Sequence, residues 1–417
     1  MAEITSVTAR EILDSRANPT IETEITLSDG ARGVASVPSG ASTGKYEAIE
    51  KRDINSERYH KKGVLDAILG INEIISPALL GMDAYDISEA DSVMIALDGM
   101  CNKSNLGANA ILSVSLALAR AGADSLSLPL YRYLGGALVR KLPVPMMNIL
   151  NGGRHADNNI DIQEFMIIPT GADSFSEGVR MCSEVYHSLK NILKSKKLQS
   201  SVGDEGGFAP MLESDEEAIK LIINAADECG YRDGSDFMIG IDAAASEWRQ
   251  GEKYLLPKRG VEYTSDALVD YLVSLSEKYP ILSIEDGVGE EDYQGWSKLT
   301  ERFEGSGVLL IGDDLFVTDP RRIEKGMEMG IANSVLIKPN QIGTLSEVAD
   351  AVRISKEGGY KTVISHRSGE TEDTFIADLS VALGADYIKT GAPARGERTA
   401  KYNRLMKIES ELFVPIY

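Results

Sequence analysis

Six short apolar segments in the second half of the chain each end at a polar or charged residue. Their last residues, in chain order, are Asp242, Glu285, Asp313, Lys338, His366 and Lys389, at intervals of 43, 28, 25, 28 and 23 residues. A short apolar run followed by about 20 residues of mixed sequence is typical of a repeated βα unit. In a barrel of parallel strands, the carboxyl ends of the strands meet at one face, where catalytic residues lie. The sequence therefore predicts a pocket that gathers three carboxylates, two lysines and a histidine.

The segment before this series is less regular. Apolar runs at 144–153 and 163–169 flank a polar loop that contains His155. A helical segment at 176–194 follows, and then the acidic, glycine-rich loop SVGDEGGFAP, which contains Glu205. A second helical segment leads into the regular units.

The N-terminal part has a different pattern. Residues 21–27 alternate between apolar and polar side chains, and a second short run at 33–38 follows a turn, which predicts an antiparallel hairpin. From 59 to 122 the apolar residues recur at helical spacing. Strands followed by helices indicate a smaller α+β domain. A Pro- and Gly-rich stretch near residue 138 predicts an N-terminal domain at 1–137 and a barrel domain at 138–417.

The three carboxylates predict a metal site. Asp242, Glu285 and Asp313 offer hard oxygen ligands without Cys or paired His, which suits Mg²⁺ better than Zn²⁺. Three such groups held close together without a cation would repel one another. The alternative is that each residue caps the helix that follows its strand.

The two lysines predict charge chemistry in the same pocket. Lys338 is a candidate general base, which requires that its pKa be lowered from an ordinary value of about 10.4. A divalent cation and a second lysine would both disfavour the ammonium form. Lys389 is a candidate partner for an anion. The alternative is that both are surface lysines at the rim of the barrel.

Two further segments predict anion binding and proton donation. His366, Arg367 and Ser368 combine a strand end with a guanidinium, a hydroxyl and free backbone N–H groups, which are the parts of a phosphate site. The alternative is a helix N-terminus without a ligand. Glu205 is a candidate general acid on its glycine-rich loop, and the alternative is a solvated acidic loop.

The loop PSGASTGKYEA superficially resembles a nucleotide-binding P-loop. Only three residues separate Gly40 from Gly44, and Tyr46 follows Lys45, so the pattern does not match that motif. The segment is therefore interpreted as a flexible loop with glycine hinges and a hydroxyl at Ser42. The alternative is a solvated loop without a role.

Charge and composition exclude several classes of protein. The net charge of −21 disfavours nucleic acid and anionic membranes as partners, and an anionic substrate would need local cations. The longest mostly apolar stretch, 108–119, is too short to span a membrane. No signal peptide is visible, and the three cysteines form no CxxC pair, which together predict a cytoplasmic protein.

Motifs throughout the chain resemble those of the enolase family. They are AREILDSRANPT, SGASTG, NGGRHADNNIDIQEF, SVGDEGGFAP, SIEDG, GDDLFVT, LIKPNQIGTL, SHRSGETEDT, IKTGAPARGER and IESEL. The resemblance implies a small α+β domain followed by a modified (β/α)8 barrel, a TIM-like α/β fold of the order ββαα(βα)6. It also implies reversible dehydration of 2-phosphoglycerate to phosphoenolpyruvate. Family members are usually homodimers, or octamers built from dimers.

The resemblance also assigns roles to single residues. It implies that Lys338 removes the C2 proton and that Glu205 protonates the departing hydroxide. It implies two Mg²⁺ ions per active site in the closed, substrate-bound form, the first on Asp242, Glu285 and Asp313 and the second joined by Ser42. Substrate contacts are implied for seven residues: His155, Gln163, Glu164, His366, Arg367, Ser368 and Lys389.

Two departures from the family pattern and two rival functions complete the interpretation. Ala17 stands where the family usually has Gly, and Arg154 stands where a smaller residue is common before His155.

A related racemase or lactonising enzyme would carry a Lys-x-Lys pair where this chain has Gln163 and Glu164. A non-catalytic protein that keeps the fold would be expected to lack a metal ligand or Lys338, and neither is missing.

Overall fold

The computed structural model describes residues 2–40 and 44–413. The chain begins with an antiparallel sheet of order β1-β2-β3, formed by Ile4–Leu13, Pro19–Leu27 and Arg32–Ser36. The predicted hairpin is therefore confirmed as β2 and β3, and β1 extends it. The alternation in β2 places Ile21, Ile25 and Leu27 on a buried face, as a half-buried strand requires.

Helices follow this sheet, as the periodicity predicts. They are α1 (Leu65–Gly70), a π-helical turn (Ile71–Ile75), α2 (Ser76–Leu79), α3 (Ile87–Asp98), α4 (Ala108–Ser125) and α5 (Leu130–Gly135). The apolar helix α4 packs against the sheet so closely that a Cβ on Gly33 would lie 2.1 Å from the carbonyl oxygen of Ala117. Only glycine fits at that contact. The predicted boundary after residue 137 falls between α5 and the next strand, and the division into domains stays a prediction.

Eight strands close into a barrel. They are β4 (Val144–Asn151), β5 (Glu164–Ile168), β6 (Met238–Asp242), β10 (Ile281–Glu285), β11 (Leu309–Gly312), β12 (Ser334–Ile337), β13 (Lys361–Ser365) and β14 (Tyr387–Lys389). The strand β5 is antiparallel to both of its neighbours, and the other neighbouring pairs are parallel. Buried side chains fill the interior, so the barrel is a packed core.

The helices of this region complete the order ββαα(βα)6. They are α6 (Phe175–Ser195), α7 (Asp215–Glu228), α8 (Ser265–Lys278), α9 (Tyr293–Arg302), α10 (Pro320–Met329), the short α11 (Pro339–Ile342), α12 (Leu345–Glu357), α13 (Phe375–Ala382) and α14 (Gly396–Leu412). The TIM-like α/β barrel fold expected from the resemblance is confirmed. Among the described residues, no helix combines the length and the apolar character that crossing a bilayer demands.

The six segments of the sequence series are strands β6 and β10 to β14. Their polar residues lie at the last position of a strand or at the position directly after it. The 43-residue interval after Asp242 was longer than the others, and the structure explains it by an extra three-stranded sheet. Its strands are β7 (Arg249–Gln250), β8 (Lys253–Leu256) and β9 (Val261–Thr264). The sequence interpretation did not predict this sheet.

The N-terminal sheet region is joined to the mouth of the barrel by backbone hydrogen bonds. The amide of Ser39 donates to the carbonyl of Gly369 over 2.7 Å, and the amide of Gly369 donates back over 2.9 Å. Similarly, the amide of Ser15 donates to the carbonyl of Glu370 over 2.7 Å. These contacts bring N-terminal residues against the loop that follows β13.

Candidate active site

A small cavity lies at the carboxyl ends of the barrel strands. It is lined by His155, Gln163, Glu164, Glu205, Asp242, Asp313, Lys338, Ser365, His366, Arg367, Ser368 and Lys389. Glu285 lies against this set, because its carboxylate binds the Lys389 ammonium 2.8 Å away. The structure thus brings together the site residues expected from the sequence, with one exception. Ser42 lies outside the described residues.

The three carboxylates stand side by side on neighbouring strands. Asp242 ends β6, Glu285 ends β10 and Asp313 follows β11, and all three are buried. Burial, and then the charge of Asp242, raise the pKa of Glu285 well above its ordinary value. None of the three caps a helix among the described residues, since α8, α9 and α10 are capped by Thr264, Asp292 and Asp319. The helix-cap alternative is therefore wrong.

Lys389 lies among these acids as a buried counter-charge. Its Nζ is 2.8 Å from Glu285 Oε2, 3.2 Å from Asp242 Oδ2 and 3.0 Å from Glu164 Oε2. With 3% of its side chain exposed, it is not a surface lysine. The charges of Asp242 and Glu164 outweigh burial and raise its pKa well above the ordinary value. Lys389 thus lines the cavity as a lysine whose surroundings favour the ammonium form.

The donor set fits a divalent cation. Asp242, Glu285 and Asp313 present only carboxylate oxygens, which Mg²⁺ prefers, and burial and the Asp242 charge both disfavour the ionised form of Glu285 in the absence of a cation. Within the described residues, two other groups hold ligand atoms that all lie within 4.8 Å of one another, namely His155, Glu164 and Glu205, and Asp286, Asp313 and Asp314. The predicted triad is not one of these compact groups; Lys389 binds both Asp242 and Glu285, and Lys338 binds Asp313.

Lys338 directly follows β12 and binds an acid rather than solvent. Its Nζ is 2.5 Å from Asp313 Oδ2, and 14% of its side chain is exposed. Burial favours the neutral amine, but the charge of Asp313 outweighs it and raises the pKa of Lys338, against the opposing effect of Arg367. The lowered pKa that a general base requires is therefore not produced by the protein groups alone.

Glu205 is buried, which excludes the solvated-loop alternative. Its residue is 3% exposed. The Asn148 amide donates to Oε2 over 3.1 Å, and His366 Nε2 lies 3.4 Å from the same oxygen. The backbone is also fixed, because Ala392 N donates to the carbonyl of Glu205 and the Tyr186 hydroxyl donates to that of Gly206.

His155 joins this acid to a second one. Its Nδ1 is 3.3 Å from Glu164 Oε1 and 3.7 Å from Glu205 Oε1. Burial favours the neutral imidazole, but the charges of Glu205 and Glu164 raise the pKa of His155 to about 9. His155 therefore holds a proton at neutral pH, whereas neighbouring positive charge outweighs burial and keeps the pKa of Glu205 well below its ordinary value.

Arg367 also lines the cavity and is paired with a carboxylate. Its Nη1 donates to Glu47 Oε2 over 2.9 Å and to Asn340 Oδ1 over 3.1 Å. Arg367 is 4% exposed and Ser368 is 6% exposed. The helix after β13 begins only at Phe375, so the alternative of a helix N-terminus at 366–369 is wrong. The Arg367 guanidinium is thus buried against a carboxylate, and phosphate binding by this residue stays a prediction.

Sequence reasoning missed four residues of the site. Asn148 lies beneath Glu205, Gln341 donates to both Asp313 and Glu47, Glu47 pairs with Arg367, and Arg398 donates to His366. An amide within the apolar run MMNIL was a visible signal for Asn148. The others carried no local signal, because they come from distant segments that only the fold brings together.

The two departures from the family pattern have local consequences. Arg154 Nη1 lies 2.7 Å from Glu247 Oε1, so it ties the loop of His155 to the segment after β6. Ala17 has a φ of 57° in the turn between β1 and β2, a left-handed conformation that favours glycine.

Comparison with protein families gives two matches that together cover nearly the whole chain. Residues 4–134 match the family described as enolase, N-terminal domain. Residues 139–414 match the family described as enolase, C-terminal TIM barrel domain.

Proposed function

Because this chain belongs to the enolase family, we propose that it catalyses the reversible, Mg²⁺-dependent dehydration of 2-phosphoglycerate to phosphoenolpyruvate. One observation carries the proposal most directly. One cavity is lined by a lysine, a histidine that faces two buried acids, acidic residues that suit a metal, and a buried arginine. These are the groups that proton removal beside a carboxylate, loss of hydroxide and binding of a phosphate require.

Asp242, Glu285 and Asp313 would hold the first Mg²⁺, and the proposal assigns Ser42 to a second ion in the closed, substrate-bound form. When bound, the metal supplies positive charge at the substrate carboxylate, where loss of the C2 proton builds a second negative charge. Lys389 adds a fixed positive charge beside the same acids. The strongly negative chain can therefore bind an anionic substrate through local cations.

Lys338 is the proposed base. The neutral amine that it needs is favoured by burial, Arg367 and Lys389, whereas Asp313 favours the ammonium. Asp313 is itself one of the proposed metal ligands. The negative charge that raises the pKa of Lys338 is therefore the same charge that would bind the metal.

Glu205 is the proposed acid. The departing hydroxide needs a proton, and the cluster of His155, Glu164 and Glu205 holds one at neutral pH. His155 faces both carboxylates and so can return a proton to Glu205 within the cavity. Gln163 Nε2, 3.4 Å from Asp242 Oδ2, orders the metal side of the pocket.

Arg367 and Ser368 would bind the phosphate, with His366 beside them. In the structure Glu47 is bound to Arg367, so a phosphate must compete with this carboxylate or share the guanidinium with it.

We further propose, on the family resemblance alone, a cytoplasmic homodimer or an octamer of dimers.

The deciding experiment is an ultraviolet assay of phosphoenolpyruvate formation from 2-phosphoglycerate, with Mg²⁺ and with a chelator. We expect turnover only with Mg²⁺, and loss of at least about 100-fold in Lys338→Ala, as is usual for removal of a general base. Circular dichroism would verify that the variant is folded. A protein that binds Mg²⁺ but forms no phosphoenolpyruvate, or a Lys338→Ala variant with unchanged turnover, would contradict the proposal.

A further inference from the structure

Arg398 is a fully buried arginine of α14, and the proposed reaction assigns it no role. Its side chain is 0% exposed. Nη1 donates to His366 Nδ1 over 2.7 Å and to the carbonyl of Arg367 over 2.6 Å. Nη2 donates to the carbonyl of Ser368 over 2.6 Å and to that of Asp204 over 3.0 Å. One guanidinium therefore joins the loop after β13 to the segment that carries Glu205.

The contact with His366 fixes where the ring carries its proton. A guanidinium has only N–H donors, so the Nδ1 that it contacts must be an acceptor. A neutral imidazole with a lone pair on Nδ1 carries its hydrogen on Nε2. That Nε2 lies 3.4 Å from Glu205 Oε2, so its hydrogen is on the side of the ring that faces the acid, although the contact does not have the geometry of a hydrogen bond.

The surroundings also keep the ring neutral. Burial lowers the pKa of His366 to about 4, with the Glu205 carboxylate opposing the change and the Arg398 charge reinforcing it. His155 faces the same acid, but no described contact joins it to an arginine. Its pKa is raised instead of lowered. The two histidines beside Glu205 thus differ in charge, and Arg398 is part of the reason.

We propose that Arg398 is a positioning residue for proton donation, which fixes His366 in the Nε2–H tautomer and holds the Glu205 segment against it through the Asp204 carbonyl. The role of this arrangement in catalysis rests on the proposed function, in which Glu205 is the acid. Without the guanidinium, His366 can adopt the Nδ1–H tautomer, which places a lone pair against the Glu205 oxygen. The acid would then keep only the Asn148 amide as a donor to Oε2 and would move away from the leaving hydroxyl.

The direct test is nitrogen NMR of the full chain labelled with ¹⁵N-histidine. The chain has only 4 histidines, and His366→Gln identifies the resonances of the residue in question. We expect the pattern of an Nε2–H tautomer for His366 in the unmodified protein. An Nδ1–H or imidazolium pattern overturns the inference without any variant at Arg398.

Substitutions then test the cause. Arg398→Met should abolish the tautomer preference, whereas Arg398→Lys, which is still a pure donor, should retain it. Arg404→Met is the matched control, because Arg404 lies on the same helix but pairs with Asp378. A tautomer unchanged in a folded Arg398→Met variant refutes the role of Arg398.

Kinetics separate this inference from the proposed function. In Arg398→Met we expect dehydration to fall about 10-fold or more while exchange of the C2 proton with solvent is retained, since Lys338 does not contact Arg398 in the described interactions. Equal loss of both rates in a folded variant contradicts a role in proton donation. If the unmodified protein forms no phosphoenolpyruvate, the proposed function is wrong. The NMR experiment still decides separately whether Arg398 fixes the tautomer of His366.

Discussion

Glu205 differs from Lys338 in its surroundings, and the two roles can be separated experimentally. In Glu205→Gln, the amide keeps the size of the side chain but cannot protonate the departing hydroxide. We expect exchange of the C2 proton with solvent deuterium to continue, while phosphoenolpyruvate formation falls about 100-fold or more. Exchange is followed by mass spectrometry of recovered 2-phosphoglycerate.

Asp204→Asn is a matched control for this variant. Asp204 precedes Glu205, but 53% of its side chain is exposed and it pairs with Arg16 outside the cavity. Its activity should stay near that of the unmodified protein. If Glu205→Gln lost exchange as well, while Mg²⁺ binding and fold were retained, the assignment of acid and base would be wrong.

Replacing Ala17 by glycine should stabilise the protein. Its φ of 57° strains any residue with a Cβ by about 1–2 kcal/mol, whereas glycine adopts this conformation freely. The extra freedom of glycine in the unfolded chain offsets about 0.4–1 kcal/mol of that gain. Because the side chain is exposed, Ala17→Gly should raise the free energy of unfolding by about 0.5–1 kcal/mol in urea titrations.

The matched control replaces an exposed alanine inside a helix. Ala96 lies in α3 with ordinary helical geometry, so Ala96→Gly should lower the free energy of unfolding by about 1 kcal/mol. A loss of stability in Ala17→Gly of similar size would show that the left-handed turn does not strain this residue.

At the residue scale, sequence patterns located the strand-end residues but not their partners. Asp242, Lys338 and Lys389 were predictable because each interrupts an apolar run at a regular interval. Glu47 was not, because its contact with Arg367 joins positions 320 residues apart. The raised pKa of Lys338 was also not predicted, since it depends on the distance to Asp313.

Among the structural elements, the loop between β4 and β5 bears most directly on the proposed activity. It carries His155, and three contacts tie it to the segment between β6 and α8. Arg154 pairs with Glu247, Lys258 Nζ donates to the carbonyl of Ala156 over 2.9 Å, and Arg259 Nε lies 3.1 Å from Asp161 Oδ2. Residues beside the unpredicted strands, and the turn between β8 and β9 in particular, therefore support the loop of a proposed active-site residue.

Arg154→Ala tests this support. The ion pair is partly exposed, at 57% and 39% of the two side chains, so its loss should change the free energy of unfolding by only about 0.2–1 kcal/mol. Because the loop carries His155, we expect a severalfold change in KM for 2-phosphoglycerate and a weaker dependence of KM on salt than in the unmodified protein.

Lys253→Ala is the control for this element, because Lys253 and Glu262 form an exposed pair of the same small sheet away from the cavity. Its KM should keep the salt dependence of the unmodified protein. An Arg154→Ala variant with the same KM at all salt concentrations would exclude a role for the pair in placing His155.

The elements themselves were predictable to different degrees. The parallel strands are buried on both faces, so they stand out as continuous apolar runs, and the helices stand out by their spacing. The sheet of β7 to β9 has strands of 2 to 4 residues, too short for any periodicity to be visible. An interval longer than its neighbours was the only sign of it.

At the scale of the whole molecule, a net charge of −21 and a buried acidic centre predict that the proposed metal would stabilise the fold. A ligand that binds only the folded chain stabilises it by about 2.7 kcal/mol at 100 times its dissociation constant. We therefore expect Mg²⁺ to raise the midpoint of thermal unfolding in calorimetry, and a chelator to reverse the change.

Asp242→Asn should separate the stability of the site from its affinity for metal. Burial and the Asp242 charge raise the pKa of Glu285, so removing that charge relieves repulsion, while Lys389 keeps Glu285 and Glu164 as partners. Without metal, the variant should be at least as stable as the unmodified protein, yet Mg²⁺ should no longer raise its unfolding temperature. Asp270→Asn, at an exposed pair on α8, should respond to Mg²⁺ like the unmodified chain. An Asp242→Asn variant that is still stabilised by Mg²⁺ to the full extent would place the metal elsewhere, for example at the compact group of His155, Glu164 and Glu205.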